Sequence, residues 1–375
     1  MTTAQTQQMS AQQAAQNNMM ARQMLISQGL HMTRQQQPVT GAIGSTLRIP
    51  LDRVGIVTGV TLRFSAPVNV TVAATASPFA PYNLVKGVTY TDFGTIDRIK
   101  TNGYGLHAIN CFRSGRMLNN ANKLAGYIPG AGGIDTNILK MPVSVAVDEI
   151  DFSLFLPIAY DAASDLRGAV MAQTTTGQHS VTIDLANAFV GADEFDSPYS
   201  AGTVASSSDV VVTPYLHYIM PQGNIMANLP MIDLSTVYAL EGNLQDSSNI
   251  GAGQDKFINW PNNRAIVSAL HMFDNGGSAT LNGADIGKIT LLANSNTNIS
   301  ELDPWFIRSS MRTQLGADLP SGVYYMGKRS QPISTQLFGN VQTKVGVLTA
   351  NANAKFINQF ESFYLAGTPL PGIIQ

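Results

Sequence analysis

The feature that most constrains the fold is an alternation of apolar and polar positions with a period of two residues. In residues 54–64 every even position is apolar or β-branched, and the alternation resumes after Pro67, in residues 68–72. Successive side chains of a β-strand point to opposite faces of a sheet, so this pattern is typical of a strand with one buried face. The stretch predicts a strand, a turn at the proline and a second strand.

The same alternation recurs along most of the chain. Valines alternate over residues 143–147, and apolar residues continue in the opposite phase over 150–156. A change of phase moves the apolar side chains to the other face, so we expect a bulge or turn at Asp148 and Glu149. Further strands are predicted near 180–185, 209–219, 264–273, 287–292, 332–338, 341–349 and 355–365. The sequence therefore predicts an all-β chain.

Two short helices are expected between the strands. One has Asp303 as N-cap, Pro304 in its first turn and Gly316 just beyond its end, with apolar residues spaced four apart between them. The other is predicted over residues 234–240. It lies between two strand-rich stretches, so we expect the boundary between two β domains at residues 230–245. Long loops rich in Gly, Ser and Asn are predicted at 115–140, 191–208 and 243–263.

The first 37 residues differ from the rest of the chain. They contain eleven Gln, six of the 15 Met, two Arg and no acidic residue. Ser10 and Gln13 have the spacing of a capping box, which predicts a helix over residues 11–28. Its apolar face, with Ala15, Met19 and Ile26, is too weak to fold alone, and a disordered Gln-rich tail is the alternative interpretation. We expect the β domains to fold without this arm.

Composition excludes several classes of protein. The 22 basic residues nearly balance the 24 acidic ones, and charged residues make up 12% of the chain against about 25% in an average soluble protein. Nucleic-acid binding is therefore not expected, because it usually needs a clustered basic excess. The single cysteine excludes disulfide scaffolds and multi-cysteine zinc sites. No apolar stretch is long enough to span a bilayer, so we expect a protein that is soluble when made.

Candidate chemistry is sparse. The five histidines never show the spacing of metal ligands. His107 and Cys111 are four residues apart, but the region around Leu106 resembles a strand, which would separate them by about 13 Å. Asp148, Glu149 and Asp151 form the tightest carboxylate cluster, which we interpret as a solvated turn. We therefore predict no catalytic, cofactor-binding or metal-binding residue, and no enzyme activity.

Ten stretches of the sequence resemble those of one known protein family, and they occur in the same order and at similar spacing: 54–59, 79–90, 106–110, 157–160, 165–170, 229–241, 273–278, 302–304, 322–325 and 339–341. Together with the Gln-rich start, they resemble the major capsid protein of tectivirus-type bacteriophages, which are tailless icosahedral phages with an internal membrane. The resemblance extends from the arm to about residue 365. The stretches 115–140 and 186–210 and the tail after Pro369 depart from it.

The resemblance implies a double jelly roll, meaning two eight-stranded β-barrels side by side in one chain, with an N-terminal helical arm and a few short helices. The implied domains are the arm at 1–40, a first jelly roll at 41–235 and a second at 236–375. The stretches 115–140 and 186–210, which differ from the family pattern, would shape the top of the capsomer, the assembly unit of the shell.

The implied function is that of a structural subunit of the virion. Three copies would form a pseudo-hexagonal capsomer that tiles an icosahedral shell around an internal lipid membrane. Other implied partners are neighbouring capsomers, vertex (penton) proteins and minor capsid proteins, and synthesis would take place in the cytoplasm of the host bacterium. In the family the N-terminal helix touches the membrane, which implies a membrane-facing arm comprising Met19, Met20, Arg22, Met24 and Arg34.

A second interpretation is a β-sandwich protein that binds a receptor or a glycan. It would explain the alternating pattern of the strands. It would explain neither the cationic, acid-free arm nor the resemblance at residues 229–241.

Overall fold

The computed structural model describes residues 2–93, 96–115, 134–135, 139–222, 234–245, 250, 252–275, 285–294, 297–316, 318–328, 331–351 and 354–364. Its helices are α1 (Thr2–Gln28), α2 (Gly103–Ser114), α3 (Pro304–Leu315) and α4 (Thr335–Phe338). The strands that precede residue 221 are β1 (Leu30–Gln35), β2 (Val39–Gly41), β3 (Thr46–Pro50), β4 (Ile56–Ala76), β5 (Val85–Thr91), β6 (Asp97–Thr101), β7 (Ile134–Asp135), β8 (Lys140–Met141), β9 (Ala146–Pro157), β10 (Val170–Met171), β11 (Ser180–Leu185), β12 (Tyr199–Ser206) and β13 (Val210–Met220). Those that follow are β14 (Val237–Gln245), β15 (Gln254–Asn259), β16 (Ala265–Asn275), β17 (Ile286–Ala293), β18 (Thr297–Leu302), β19 (Val323–Gly327), β20 (Ile333–Ser334), β21 (Val341–Val347) and β22 (Ala354–Tyr364).

Three sheets organise these strands. The first has the order β1-β13-β4-β9-β8-β7, with β2, β10 and β12 on its sides. The second has the order β19-β16-β22-β14-β6-β5-β11-β3, and it therefore contains strands from both halves of the chain. The third has the order β15-β21-β17-β18. The β6–β14 pair is parallel and joins the two halves, whereas all other strand pairs of the described residues are antiparallel.

Each half buries its own aromatic pairs. Phe64 and Phe152 stack in the first half with ring centroids 4.8 Å apart, and Phe273 packs on Phe356 at 4.5 Å in the second half. One continuous hydrophobic core nevertheless includes residues of both halves. The chain thus forms two β-sandwiches side by side that share a sheet, as the expected double jelly roll requires.

Strand β4 corrects the predicted strand, turn and strand. It runs without interruption from Ile56 to Ala76, with Pro67 inside it. Pairing with β13 ends at Ser65 and pairing with β12 begins at Val68, so the proline stands where that edge of β4 has no ladder partner. The missing proline N–H is tolerated at such a position.

The bulge expected at Asp148 and Glu149 is also wrong. Strand β9 keeps one register with β4 along its whole length. The change of phase has another cause, since Val145 and Val147 are 65% and 74% exposed while the core-facing positions begin at Ile150. Exposed valines just before and near the start of β9 produced the misleading pattern.

The strand expected around Leu106 is a helix. Helix α2 begins after Asn102, whose side chain accepts a hydrogen bond from the backbone N–H of Gly105 at 2.7 Å. It ends at Gly115, which has a φ of 64°. Ten of its twelve residues are buried, and this helix leaves few polar positions from which a helical period could be detected.

Two other local predictions are wrong because pairing between distant strands overrides local preference. Residues 234–240 do not form a helix, since β14 begins at Val237 and pairs with β22 on one side and β6 on the other. Only Ile333 and Ser334 of the predicted strand 332–338 are extended, and α4 follows. Strands β12 and β15 lie in stretches that were predicted as loops.

The remaining local predictions within the described residues are confirmed. Helix α3 begins after Asp303, whose carboxylate accepts from the Trp305 N–H at 2.7 Å, and ends before Gly316, which has a φ of 66°. The strands predicted at 180–185, 209–219, 264–273, 287–292, 341–349 and 355–365 appear with bounds that agree within two residues. Helix α1 begins at Thr2, earlier than residue 11. Most of the predicted loop 115–140 and residues 229–233 and 276–278 lie outside the described residues.

Candidate assembly surfaces

His107 and Cys111 are brought together by α2, contrary to the strand-based expectation. Residues four apart on a helix are neighbours, and the Cys111 Sγ lies 3.5 Å from the His107 Nε2. The imidazole also stacks on Tyr82 with centroids 3.7 Å apart. Burial lowers the pKa of His107 to about 3, so the ring is neutral and offers no cation to a thiolate. The pair is packed as part of the core.

Each carboxylate of the cluster on β9 has an ion-pair or hydrogen-bond partner. Asp148 pairs with Lys140 at 2.5 Å, Asp151 pairs with Arg63, and Glu149 accepts from the Ser65 hydroxyl at 2.7 Å. The three residues lie on a strand and not on a turn, which corrects that interpretation. Among the described residues, no three His, Cys, Asp or Glu side chains are grouped so that they could hold a metal ion.

The last turns of α1 dock on the first half of the chain. Ala21 and Leu25, one turn apart, are buried. They pack against Ile56 at the start of β4, Ile219 near the end of β13, and three residues of the connection between β9 and β10: Ala159, Leu166 and Ala169. The predicted apolar face is therefore wrong at Met19, which is 56% exposed. Met20 and Met24 are also exposed, at 53% and 39%.

The predicted arm residues do not form one surface element. Four of them lie on α1, where Arg22 is partly buried. Arg34 instead lies on β1, which pairs with β13 over six residues. Its guanidinium is 3.2 Å from the carboxylate of Asp52, and both side chains are about half exposed. The arm is thus a docked helix followed by an edge strand.

Because the arm is docked, truncations of different length should have different effects on the melting temperature. Removal of residues 1–17 should leave the melting temperature unchanged, because the side chains described there, Gln13, Gln16 and Asn17, are exposed. Removal of residues 1–37 should lower it clearly, because it strips β1 from β13 and deletes the buried Leu25 and Gln36. Loss of one buried leucine side chain alone costs about 2–5 kcal/mol. Differential scanning fluorimetry of the two truncations would measure this, and equal melting temperatures would contradict the structural role of the docked arm.

A buried polar network joins the two halves. The Glu361 side chain on β22 is fully buried and accepts hydrogen bonds from the Ser268 hydroxyl at 2.7 Å and the Tyr238 hydroxyl at 3.0 Å. Arg113, near the end of α2, donates to the Tyr238 hydroxyl at 2.9 Å, and its Nε is 3.9 Å from the Glu361 carboxylate. A helix of the first half is thereby tied to three strands of the second.

The same strand holds the beginning of α2. The Gln359 amide donates to the Asn102 side-chain oxygen at 2.9 Å, which is the oxygen that caps the helix. The helix backbone approaches so closely that a Cβ on Gly105 would lie 1.7 Å from the Gln359 amide nitrogen. Gln359 and Glu361 therefore fix both ends of α2 and the relative orientation of the two halves.

This joint is not among the sequence-based predictions. A signal was present, since Asn358 and Gln359 are adjacent in a stretch with strand-like periodicity. Adjacent side chains of a strand point to opposite faces, so a strand with one buried face must bury one of these two polar residues. Buried polar residues of this kind require partners, and only the fold supplies them.

No helix in the described part of the chain is long and apolar enough to cross a membrane.

Comparison with known proteins gives concordant results. The family model described as "P3 major capsid protein N-terminal" matches residues 1–213, and "P3 major capsid protein C-terminal" matches residues 235–369. The chain is 30% identical over 369 residues to the major capsid protein P3 of Enterobacteria phage PRD1, a match that covers 94% of this chain and 92% of that protein.

Solved structures share the fold at low identity. The major capsid protein of Sulfolobus turreted icosahedral virus superposes with a TM-score of 0.67 at 11% identity, covering 90% of this chain and 97% of that one. The major capsid protein P2 of bacteriophage PM2 gives a TM-score of 0.53 at 10% identity, covering 91% of this chain and all of that one.

Proposed function

The chain belongs to the P3 family of major capsid proteins, with the double jelly-roll fold, and from this premise we propose that three copies form a pseudo-hexagonal capsomer that tiles an icosahedral shell around an internal lipid membrane. Membership makes it a structural component of the virion shell, in a family that is not one of enzymes. The trimeric capsomer, its tiling and the internal membrane are what we propose. The interpretation as a receptor- or glycan-binding sandwich has no comparable support.

The observation that carries the proposal is the rigid joint between the two halves. The parallel β6–β14 pair and the network around Glu361 hold two β-sandwiches side by side. A threefold ring of such subunits has six similar lobes and hence a pseudo-hexagonal outline. The low charge content of 12% suits flanks that become covered, because the cores of interfaces are depleted in charge.

The proposed membrane contact is the arm. Met19, Met20 and Met24 are exposed, and thioether side chains adapt to irregular apolar surroundings. Residues 1–37 carry Arg22 and Arg34 and no acid, and each cation near an anionic lipid surface contributes about 1 kcal/mol. Arg34 is already paired with Asp52, so its share of this attraction is smaller. Repetition over the shell would make the weak contacts avid.

The same proposal includes further partners and the organisation of the chain. These partners are neighbouring capsomers, vertex and minor capsid proteins, and synthesis occurs in the cytoplasm of the bacterial host. We propose the domains as an arm at 1–40, a first jelly roll at 41–235 and a second at 236–375. Direct binding of nucleic acid is not part of the proposal, because the chain has a net charge of -2.

Two measurements test the proposal. Light scattering coupled to size-exclusion chromatography should give a mass near three times 40.0 kDa. Vesicles that contain phosphatidylglycerol should carry the protein upward in a density gradient, and Met19→Gln/Met20→Gln/Met24→Gln should reduce the floating fraction without change in mass.

A stable monomer would contradict the capsomer. Flotation that is the same for the variant, or that persists with the same strength on vesicles of neutral lipid in high salt, would contradict the role assigned to the exposed methionines and the arginines.

A further inference from the structure

A cavity of about 470 Å³ opens beside the end of α2, next to the joint between the two halves. Its walls include Asn110, Arg113, Phe155, Tyr160, Asp161 and Ala162. Ligand sites usually measure about 300–1,000 Å³, so a cavity of this size can hold a few side chains. We call it the α2 cavity.

The polar side chains of the α2 cavity are already bonded within the fold. Arg113 donates to the Tyr238 hydroxyl at 2.9 Å and to a backbone carbonyl. Asp161 accepts from a backbone N–H at 2.9 Å and a serine hydroxyl at 2.6 Å in the turn that follows it. The Asn110 amide donates to the backbone carbonyl of Phe155 at 2.6 Å. A charged ligand would therefore lose its hydration without gaining a partner, whereas an apolar, uncharged occupant fits the remaining surface.

The apolar surface of the α2 cavity includes an aromatic ring. Phe155, on β9, is 38% exposed, and the short side chain of Ala162 lines the cavity with it. Partial exposure of a large apolar side chain inside a concave site indicates a surface that an apolar group can cover.

Strand β22 leads the chain to this cavity. Its Gln359 contacts the beginning of α2, its Glu361 lies near the arginine at the end of α2, and its Phe363 packs on Tyr160 with ring centroids 5.0 Å apart. Tyr160 is itself a wall of the cavity. The chain therefore leaves β22, at Tyr364, one aromatic ring away from the cavity.

Residues 365–375 have the chemistry that the cavity requires. They follow β22, lie outside the described residues and contain no charged side chain, but four large aliphatic ones: Leu365, Leu370, Ile373 and Ile374. Leu370 stands between two prolines, which restrict the free chain and so lower the entropy lost on docking. Six residues separate Leu370 from Tyr364, and they can span about 20 Å, which is enough to pass the Tyr160 ring.

We propose that residues 365–375 fold back onto their own chain and place Leu370 in the α2 cavity. The contact covers Phe155 and ties the end of β22, in the second half of the chain, to α2 and the β9–β10 connection in the first half. The tail thus acts as a strap over the joint and shields Arg113 and its buried partners from water.

Disulfide trapping in the full chain tests the proposal. With oxidised glutathione, Ala162→Cys/Leu370→Cys should form its disulfide faster than a control pair by roughly tenfold or more, because docking holds the two Cβ atoms within the roughly 3.5–4.5 Å that the bond needs. The native Cys111 is buried and does not compete.

The control pair is Asn262→Cys/Leu370→Cys. Asn262 is exposed and lies two residues before Arg264, whose guanidinium is 3.7 Å from the centroid of the Tyr364 ring. A tail that is not docked reaches both sites from the end of β22, so the control corrects for mere proximity. Circular dichroism of both variants checks that folding is preserved.

The outcomes are distinct. A fast disulfide between residues 162 and 370, found by peptide mass spectrometry in a band of single-chain mass on a non-reducing gel, would support the strap. Equal rates in the two pairs would overturn it. A fast disulfide that links two chains would assign the cavity to the tail of another copy and would likewise overturn it. None of these results depends on the mass in light scattering, so the proposed capsomer stands or fails separately.

Discussion

Replacement of Glu361 by alanine is expected to lower the free energy of unfolding by about 3–5 kcal/mol, which is the usual effect when one partner of a buried ionic network is removed. The carboxylate is fully buried, and it accepts from Ser268 and Tyr238. Its removal leaves these two hydroxyls without their acceptor, and it leaves the Arg113 guanidinium, whose side chain is 13% exposed, without its carboxylate partner. Urea unfolding at a fixed protein concentration measures the change.

Two variants serve as controls for this prediction. Glu361→Gln keeps the shape and one acceptor, so its effect should be smaller. Glu301→Ala breaks the pair with Lys288, whose side chain is 70% exposed, and an exposed pair contributes about 0–1 kcal/mol. If Glu361→Ala and Glu301→Ala had equal effects, the joint would not depend on the network.

The stability of the folded chain is expected to fall steeply as the pH drops from 6.5 toward 4. Burial lowers the pKa of His107 to about 3 and that of His271 to about 4, from an ordinary value of 6.5. Below 6.5 the unfolded chain binds protons that the folded chain does not, so the unfolded state gains stability. Each group contributes about 1.4 kcal/mol per pH unit, so the two together cost about 4 kcal/mol at pH 5. Above pH 6.5 both are neutral in both states and the effect vanishes.

Substitutions of the two buried histidines test whether they cause the acid sensitivity. His107→Phe preserves the stack on Tyr82, whose ring centroid is 3.7 Å from the imidazole, and should reduce the slope of melting temperature against pH. His271→Gln keeps a polar group near Asn358 and Thr343, which contact the two ring nitrogens, and should do the same. His31→Gln is the control, because that side chain is exposed. Unchanged slopes in both core variants would contradict the assignment.

Local sequence signals were reliable where one short segment decides its own structure. Asp303, Pro304 and Gly316 specified α3, since capping and backbone preference act within a few residues. The alternation at 180–185 specified β11, because that strand has one buried face. The same rule failed at 143–147, where Val145, just before β9, and Val147, near its start, are exposed, since a pattern does not tell which apolar face is covered.

The tertiary structure alone decided the joint and the surfaces. No local pattern could place Gln359 and Glu361 against the two ends of α2, because these residues meet it across about 250 positions of the chain. Likewise, the docking of Leu25 and the pairing of β1 depend on the surface that β4 and β13 present together.

The sequence by itself determined the β architecture, the caps of α3, the lack of a recognisable catalytic motif and the resemblance to a capsid family. Each of these depends on the spacing, composition or order of residues, which are properties of the linear sequence. The tertiary structure decided that residues 237–245 form a strand and that α2 is a helix held by buried polar groups. These depend on which distant segments meet, and burial and pairing at such contacts outweigh local preference by several kcal/mol.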